Sequence, residues 1–339
     1  MMKAVVFKEA RKMVVEDVPD PVAGSGEVVV KIKNSGICGS DLHLYQYAFV
    51  PPGTVMGHEA TGTIASVGDG VTDWKQGDRV LVKGGAACGK CERCLKYSNK
   101  FCSDPFSIGM GMNHGAYAEY VKAPTTLLAP LPDDLGMMEA ALMDPLGCAH
   151  HGVARGRMKP GETALVIGAG PIGLFLVHGL KAVGVEQVIL SEPVKRRAEL
   201  AAELGADVVL DPTKISVEEE TKKLTGGLGP EAVFECVGLP ATTVDSVHLV
   251  RRGGRVVWVG VCMEDISFNP LFWMLKNITL ELVFGWESTA KVPDYLEFIR
   301  KNQAELRKGI TEIISLDGVP DAFERLSNPN TEMKIMVEF

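Results

Sequence analysis

The sequence predicts an α/β protein of two domains, a β-barrel-like domain and a doubly wound parallel sheet. Two observations predict it. From Gly161 to Gly260, apolar strand-like runs alternate with helix-like stretches, the rhythm of a parallel sheet covered on both faces. Before residue 130 the texture differs: short runs such as Glu27 to Asn34 alternate with period two, and glycine- and proline-rich loops separate them. The tail from Ile310 to Phe339 returns to that texture. The first domain is therefore expected to be discontinuous, 1–148 with 303–339, around a sheet domain at 149–302.

Strands are expected at 3–7 and 12–16, joined by a turn. The loop 17–26 carries Pro19, Pro21 and Gly24, which no central strand tolerates. Strands follow at 27–34, 60–67, 79–83 and 115–121, then a connector at 124–132. A helix from Gly136 delivers Asp144 and runs on through Ala154. In the second half, strands are expected at 162–167, 187–191, 207–210, 231–236 and 254–260. Helices at 171–183, 193–204, near 215–225 and near 241–250 connect them. A strand within 277–286, a helix at 292–302 and a last short strand at 334–338 complete the chain.

The 339 residues suffice for two sizeable cores, and 46% apolar with 23% charged residues fits a globular chain. A net charge of -8 without a long basic run argues against nucleic acid as a partner. No apolar run reaches the length of a bilayer span, and the first residues read as a strand rather than a signal peptide, so no membrane association and a cytoplasmic location are expected. The eight cysteines are distributed for metal rather than for disulfides, four of them crowded into one segment.

That segment is Cys88-x-x-Cys91-x-x-Cys94 with Cys102 following. Four soft ligands in one loop make a closed tetrahedral zinc site that folds its lobe, at about 84–104. Cys38, His58, Glu59 and Asp144 are a second, dispersed set. One thiolate, one imidazole and carboxylates suit an open catalytic zinc, and glycines flank both Cys38 and His58. The same residues also suit a buried cysteine, a surface histidine and solvated acids. The third pattern is Gly168-Ala169-Gly170-Pro171-Ile172-Gly173 between a strand and a helix. Such glycines let a diphosphate approach the helix N-terminus. Glu192 closes the next strand, at roughly the 20-residue distance expected of an acid on the ribose diol. A carboxylate there favours NAD over NADP, although Lys195, Arg196 and Arg197 could face a 2'-phosphate. Cys236, Val237, Gly238, Gly260 and Val261 follow strand ends that would line the nicotinamide crevice.

Together these residues resemble the zinc-dependent medium-chain alcohol/polyol dehydrogenases over essentially the whole chain, and within them the sorbitol, threonine and 2,3-butanediol dehydrogenase group. The resemblance rests on Gly36 to His43, Gly57-His58-Glu59, the four-cysteine lobe, Asp144-Pro145-Leu146 and the glycine turn. It implies a GroES-like barrel and a Rossmann sheet, with two zinc ions per subunit, one catalytic and one structural. It makes Cys38 and His58 ligands of the catalytic zinc, Glu59 a direct or intermittent ligand, and Asp41 the carboxylate that orients His58. Asp144 stands where this group usually has glutamate. One methylene shorter, it leaves open whether the loop moves in, a water bridges, or Glu59 ligates more. Ser40 matches the hydroxyl that bonds the substrate oxygen, and His43 the histidine at the solvent end of the proton relay. Phe106, Ile108, Phe284 and Trp286 are candidates for the pocket wall. The implied reaction is hydride transfer between NAD(H) and a secondary alcohol or small polyol. The implied assembly is a homotetramer, with a dimer next, joined through residues 268–284. The alternatives are a zinc-independent quinone or enoyl reductase using NADPH, and a non-catalytic nucleotide-binding protein.

Overall fold

Val28, Val30 and Ile32 share one face of the strand Glu27–Gly36 and are buried together with Ile64, Val80, Val82 and Val121 of its neighbours. That period-two burial closes the core of the first folding unit. The computed structural model describes residues 1–111, 113–328 and 331–339, and divides into Met1–Asp144 with Ser288–Phe339, and Pro145–Glu287.

The first unit is built on a seven-stranded sheet. Ile310–Ile314, Lys334–Glu338, Glu27–Gly36, Glu59–Val67, Arg79–Val82 and Leu128–Pro130 lie side by side, and Tyr120–Pro124 also pairs with Glu27–Gly36. A two-stranded ribbon, Met2–Glu9 against Lys12–Val18, packs on it through a second core that includes Val5, Phe7, Tyr45, Tyr117, Phe323 and Ile335. The return of the C-terminal strand makes the unit discontinuous in sequence: Met336 to Glu338 pair antiparallel with Asn34 to Gly36, directly beside Cys38.

Two local expectations are corrected. Residues 115–117 do not extend a regular ladder, because the amides of Gly115, Ala116 and Tyr117 bond the carbonyls of Val55, Gly57 and Met56; the strand begins at Tyr120. Residues 39–47, to which the sequence reading assigns no element, form a helix, Gly39–Tyr47.

The second unit is a six-stranded, all-parallel sheet. Its order is Val208–Leu210, Gln187–Ser191, Thr163–Ile167, Ala232–Glu235, Arg255–Trp258 and Thr279–Leu282, with the first strand in the chain third in space. This order reverses between Thr163–Ile167 and Ala232–Glu235, and such a reversal opens a crevice at the carboxyl ends of the strands. Leu165, Ile167, Ile189, Val233 and Val256 fill the interior of the sheet, as their continuous apolar runs require. None of the helices of the described residues is long and apolar enough to cross a membrane.

Candidate metal centres and cofactor crevice

The helix Gly39–Tyr47 starts at Cys38, whose backbone N–H bonds Asp41 Oδ2 at 3.2 Å as an N-terminal cap. Its first turn therefore carries Cys38, Ser40 and Asp41 in one rigid frame, with His43 a turn further along. His58 and Glu59 arrive at the start of the adjacent strand Glu59–Val67. Donor atoms of Cys38, His58 and Glu59 lie within 4.8 Å of one another. His58 Nδ1 faces Asp41 Oδ1 at 3.1 Å, which leaves Nε2 on the side of Ser40, 3.4 Å from its hydroxyl. The Ser40 hydroxyl also lies 3.2 Å from Cys38 Sγ.

The electrostatics of this cluster call for a cation. Burial works against a charge on His58. Asp41 and Cys38 nonetheless hold its pKa well above the ordinary imidazole value. The Glu59 carboxylate is fully buried and is met by the ammonium of Lys334, which is itself 1% exposed. Lys334 also donates to Ile37 O at 2.9 Å. Burial opposes its charge, but Glu59, Cys38 and Asp144 raise its pKa overall. Asp144 thus lies near enough to act on Lys334, while standing outside the trio of converging donors. A thiolate, an imidazole and a carboxylate gathered out of water fit a zinc ion.

The four-cysteine lobe passes a stricter test. Its sulfur pairs Cys91–Cys94, Cys88–Cys102 and Cys91–Cys102 are 3.4, 3.5 and 4.0 Å apart. Tetrahedral ligands at a zinc–sulfur distance of about 2.3 Å would be spaced by about 3.8 Å. Backbone amides of Cys88, Cys91, Cys94 and Asp104 each point at a sulfur. Hydrogen bonds from Ser103, then from the Cys94 amide, lower the pKa of the Cys91 thiol, while burial and the neighbouring sulfurs raise that of Cys94, so without metal the crowded thiols share protons that a bound cation would displace.

In the second unit, Gly168 takes a φ of +93° and Gly173 sits where a Cβ would lie 1.9 Å from the Gly168 carbonyl. Only glycine lets the helix Pro171–Ala182 start this close to the turn, with Gly170 as its N-cap and Pro171 in its first turn. Glu192 is buried and bridges this turn to the next loop, accepting from Ala169 N–H at 2.7 Å and Val194 N–H at 2.8 Å. Arg197 stands half-buried in the first turn of the helix Lys195–Glu203.

Cys236, Val237 and Gly238 follow the strand Ala232–Glu235, and Gly260 and Val261 follow Arg255–Trp258. The two loops touch: a Cβ on Gly238 would lie 2.5 Å from Val261 O, and one on Gly168 would lie 2.5 Å from Val237 Cγ2. These residues share one crevice mouth. Glu235, which the sequence reading passed over, organises it by accepting from Val237 N–H, Gly238 N–H and the Thr242 hydroxyl. Desolvation and the Glu235 charge push the Cys236 thiol well above its ordinary range, which holds it in the protonated form. Of the pocket-wall candidates, Ile108 is buried in the barrel core and Phe106 packs against it, whereas Phe284 is 83% exposed.

Two zinc-type donor sets and a dinucleotide crevice on a doubly wound sheet are matched by the comparisons. Residues 24–133 match the alcohol dehydrogenase GroES-like domain and residues 171–301 the zinc-binding dehydrogenase domain. Sorbitol dehydrogenase of Bacillus subtilis (strain 168) is 33% identical over 344 residues, covering 99% of this chain and 97% of that protein. This chain belongs to the zinc-dependent medium-chain alcohol/polyol dehydrogenases. The L-threonine 3-dehydrogenase of Rhizobium etli (strain CIAT 652) is 31% identical, with 99% of this chain and 98% of that one covered. The crystal structure of 2R,3R-butanediol dehydrogenase from Bacillus subtilis superposes with a TM-score of 0.90 at 30% identity, over 100% of both chains. The GroES-like and Rossmann architecture, two zinc sites and alcohol/polyol dehydrogenase chemistry with NAD(H) follow for this chain.

Proposed function

We propose that this protein oxidises a secondary alcohol or small polyol and reduces the matching ketone, with NAD as the preferred cofactor. The observation that carries the reading is the buried convergence of Cys38, His58 and Glu59 beside a serine hydroxyl. Cys38, His58 and Glu59 would hold the catalytic zinc, with Asp144 the proposed fourth group, and Cys88, Cys91, Cys94 and Cys102 the structural one. When bound, zinc polarises the alcohol oxygen as a Lewis acid and the nicotinamide accepts the hydride.

The chain's own residues then handle the proton and the orientation. Ser40 accepts the hydrogen bond of the substrate hydroxyl and passes the proton on; it is a conduit, since a serine hydroxyl is too weak a base to keep it. His43 receives it. Burial lowers the His43 pKa below its ordinary value, so the imidazole is neutral and ready to accept at neutral pH. Asp41 keeps His58 in the tautomer whose Nε2 is free. Gly168, Gly170, Pro171, Ile172 and Gly173 receive the diphosphate, and Glu192 the ribose diol. The loops at Cys236 to Gly238 and Gly260 to Val261 border the nicotinamide. Arg197 would approach the adenosine side.

The preference for NAD is supported by the buried Glu192 carboxylate, which repels a 2'-phosphate. Cysteines gathered as metal ligands rather than paired in disulfides support a reducing, cytoplasmic location. Assembly as a homotetramer, with a dimer next, is supported by two exposed apolar faces. The edge strand Thr279–Leu282 and the preceding helix expose Leu271, Phe272, Met274, Leu275 and Leu282; the zinc lobe exposes Leu95, Tyr97 and Phe101. A dimer of dimers needs two such faces.

The test is NADH formation, followed by absorbance, against short secondary alcohols, vicinal diols, sugar alcohols and threonine. NADP is run in parallel and zinc is measured on the same sample. Turnover by one class, abolished in His58→Ala, is the expected result. Two zincs per chain with no turnover of any alcohol would overturn the substrate assignment.

A further inference from the structure

Asp41 is fully buried and its two oxygens are divided between two tasks. Oδ1 takes the N–H of His58. Oδ2 takes the Cys38 amide at 3.2 Å and, at 2.6 Å, the phenol of Tyr117. That last bond is the shortest of the three, and it comes from a side chain 76 positions away with no exposed surface. A phenol donating to a carboxylate is a charge-assisted bond, stronger than one between neutral groups.

We propose that Tyr117 is a positioning residue of the inner metal centre, its hydroxyl fixing Asp41 and thereby the direction of His58 Nε2. The inference rests on the catalytic-zinc reading above. Three observations converge on it. Tyr117 is held at its backbone and at its ring: its N–H bonds Met56 O at 2.9 Å, and Phe323 meets its ring edge-on at 5.8 Å. Its ring lies on Gly57, where any Cβ would come within 2.8 Å of the ring, and Gly57 has a φ of +95°. One aromatic residue therefore sets both the backbone that presents His58 and the carboxylate that orients it. Finally, the other acceptor it meets among the described residues, Gly36 O, is at 3.2 Å, so the single phenolic proton goes to Asp41. Burial, then the charges of Asp41, Glu59 and Cys38, raise the phenol's pKa, keeping it a donor over the working pH range.

The test removes one oxygen. Tyr117→Phe keeps the ring on Gly57 and takes only the hydroxyl from Asp41. Partners of metal-ligating histidines are worth about 10–100-fold in affinity; one bond further out, about 10-fold weaker binding at the inner site is expected. Cobalt(II) substituted into the full-length protein reads both centres, since the four-sulfur site and the mixed site have different absorption bands. The expected result is weaker cobalt binding and a shifted band at the mixed site, with the four-sulfur site unchanged as an internal control. The same substitution in an Asp41→Ala background should then have little further effect. Unchanged affinity and spectrum in Tyr117→Phe, or a full loss that persists without Asp41, overturns the proposal. A wild-type protein that binds cobalt only at the four-sulfur site would instead overturn the catalytic-zinc reading, and this inference with it.

Discussion

Nothing in its local sequence marks Lys334, the buried counter-ion of Glu59. It lies in a short apolar strand, Lys334–Glu338, 275 positions from its partner, and looks like an ordinary alternating lysine. Only the pairing of that strand with Glu27–Gly36 carries it under Cys38. Cys38 and His58 were legible through the family motifs that contain them, Gly36 to His43 and Gly57-His58-Glu59; their residue types alone also suited a buried cysteine and a surface histidine. Asp41 was legible through the first of these motifs and does face His58, whereas Tyr117 and Lys334 hold the site by buried charge and hydrogen bonds, which leave no spacing to read. Removing one partner of a buried pair leaves a stranded charge and costs about 3–5 kcal/mol. Lys334→Met is therefore expected to lose on that order of stability when stripped of metal. Zinc should restore part of it, because a second cation then faces Glu59. Urea unfolding of both forms, with and without zinc, measures this; a metal-free variant as stable as the wild type would show that Lys334 does not carry the pair.

At the scale of elements, periodicity found the parallel sheet and missed the helix Gly39–Tyr47. Only Asp41 and Tyr45 of that helix are buried, so it has no apolar stripe to betray it, and its start is set by the Cys38–Asp41 cap. The helices Met143–Gly156 and Pro171–Ala182 show how packing alters a side chain that sequence cannot grade. Burial, with a smaller contribution from His178, lowers His150 to about 4. Its unfolded pKa is near 6.5. The folded chain therefore binds fewer protons than the unfolded one between these values, so this contribution is fully present above pH 6.5 and is lost as pH falls toward 4. The full loss is on the order of 3 kcal/mol. Unfolding free energies at pH 7 and pH 5 should fall less in His150→Gln than in the wild type; equal slopes would place the acid sensitivity elsewhere.

At the scale of the whole molecule, the edge strand Thr279–Leu282 offers unpaired backbone groups beside an apolar side-chain face, a surface that monomers avoid. Met274→Lys with Leu282→Lys is expected to lower the mass measured by light scattering to that of a smaller assembly, while the zinc content stays at the wild-type level. An unchanged mass would overturn the proposed assembly through this face. What the sequence by itself determined is the class of protein: the strand–helix rhythm, the glycine turn and the cysteine spacing each encode a local geometry that a short stretch must adopt. What only the tertiary structure decided is the electrostatic state of the inner site. Which charges are paired there, and which imidazole nitrogen is free, depends on Tyr117 and Lys334 reaching Asp41 and Glu59 across long chain separations. Such contacts exist only once the strands have paired, because burial is what turns a distant lysine or phenol into a strong and specific partner.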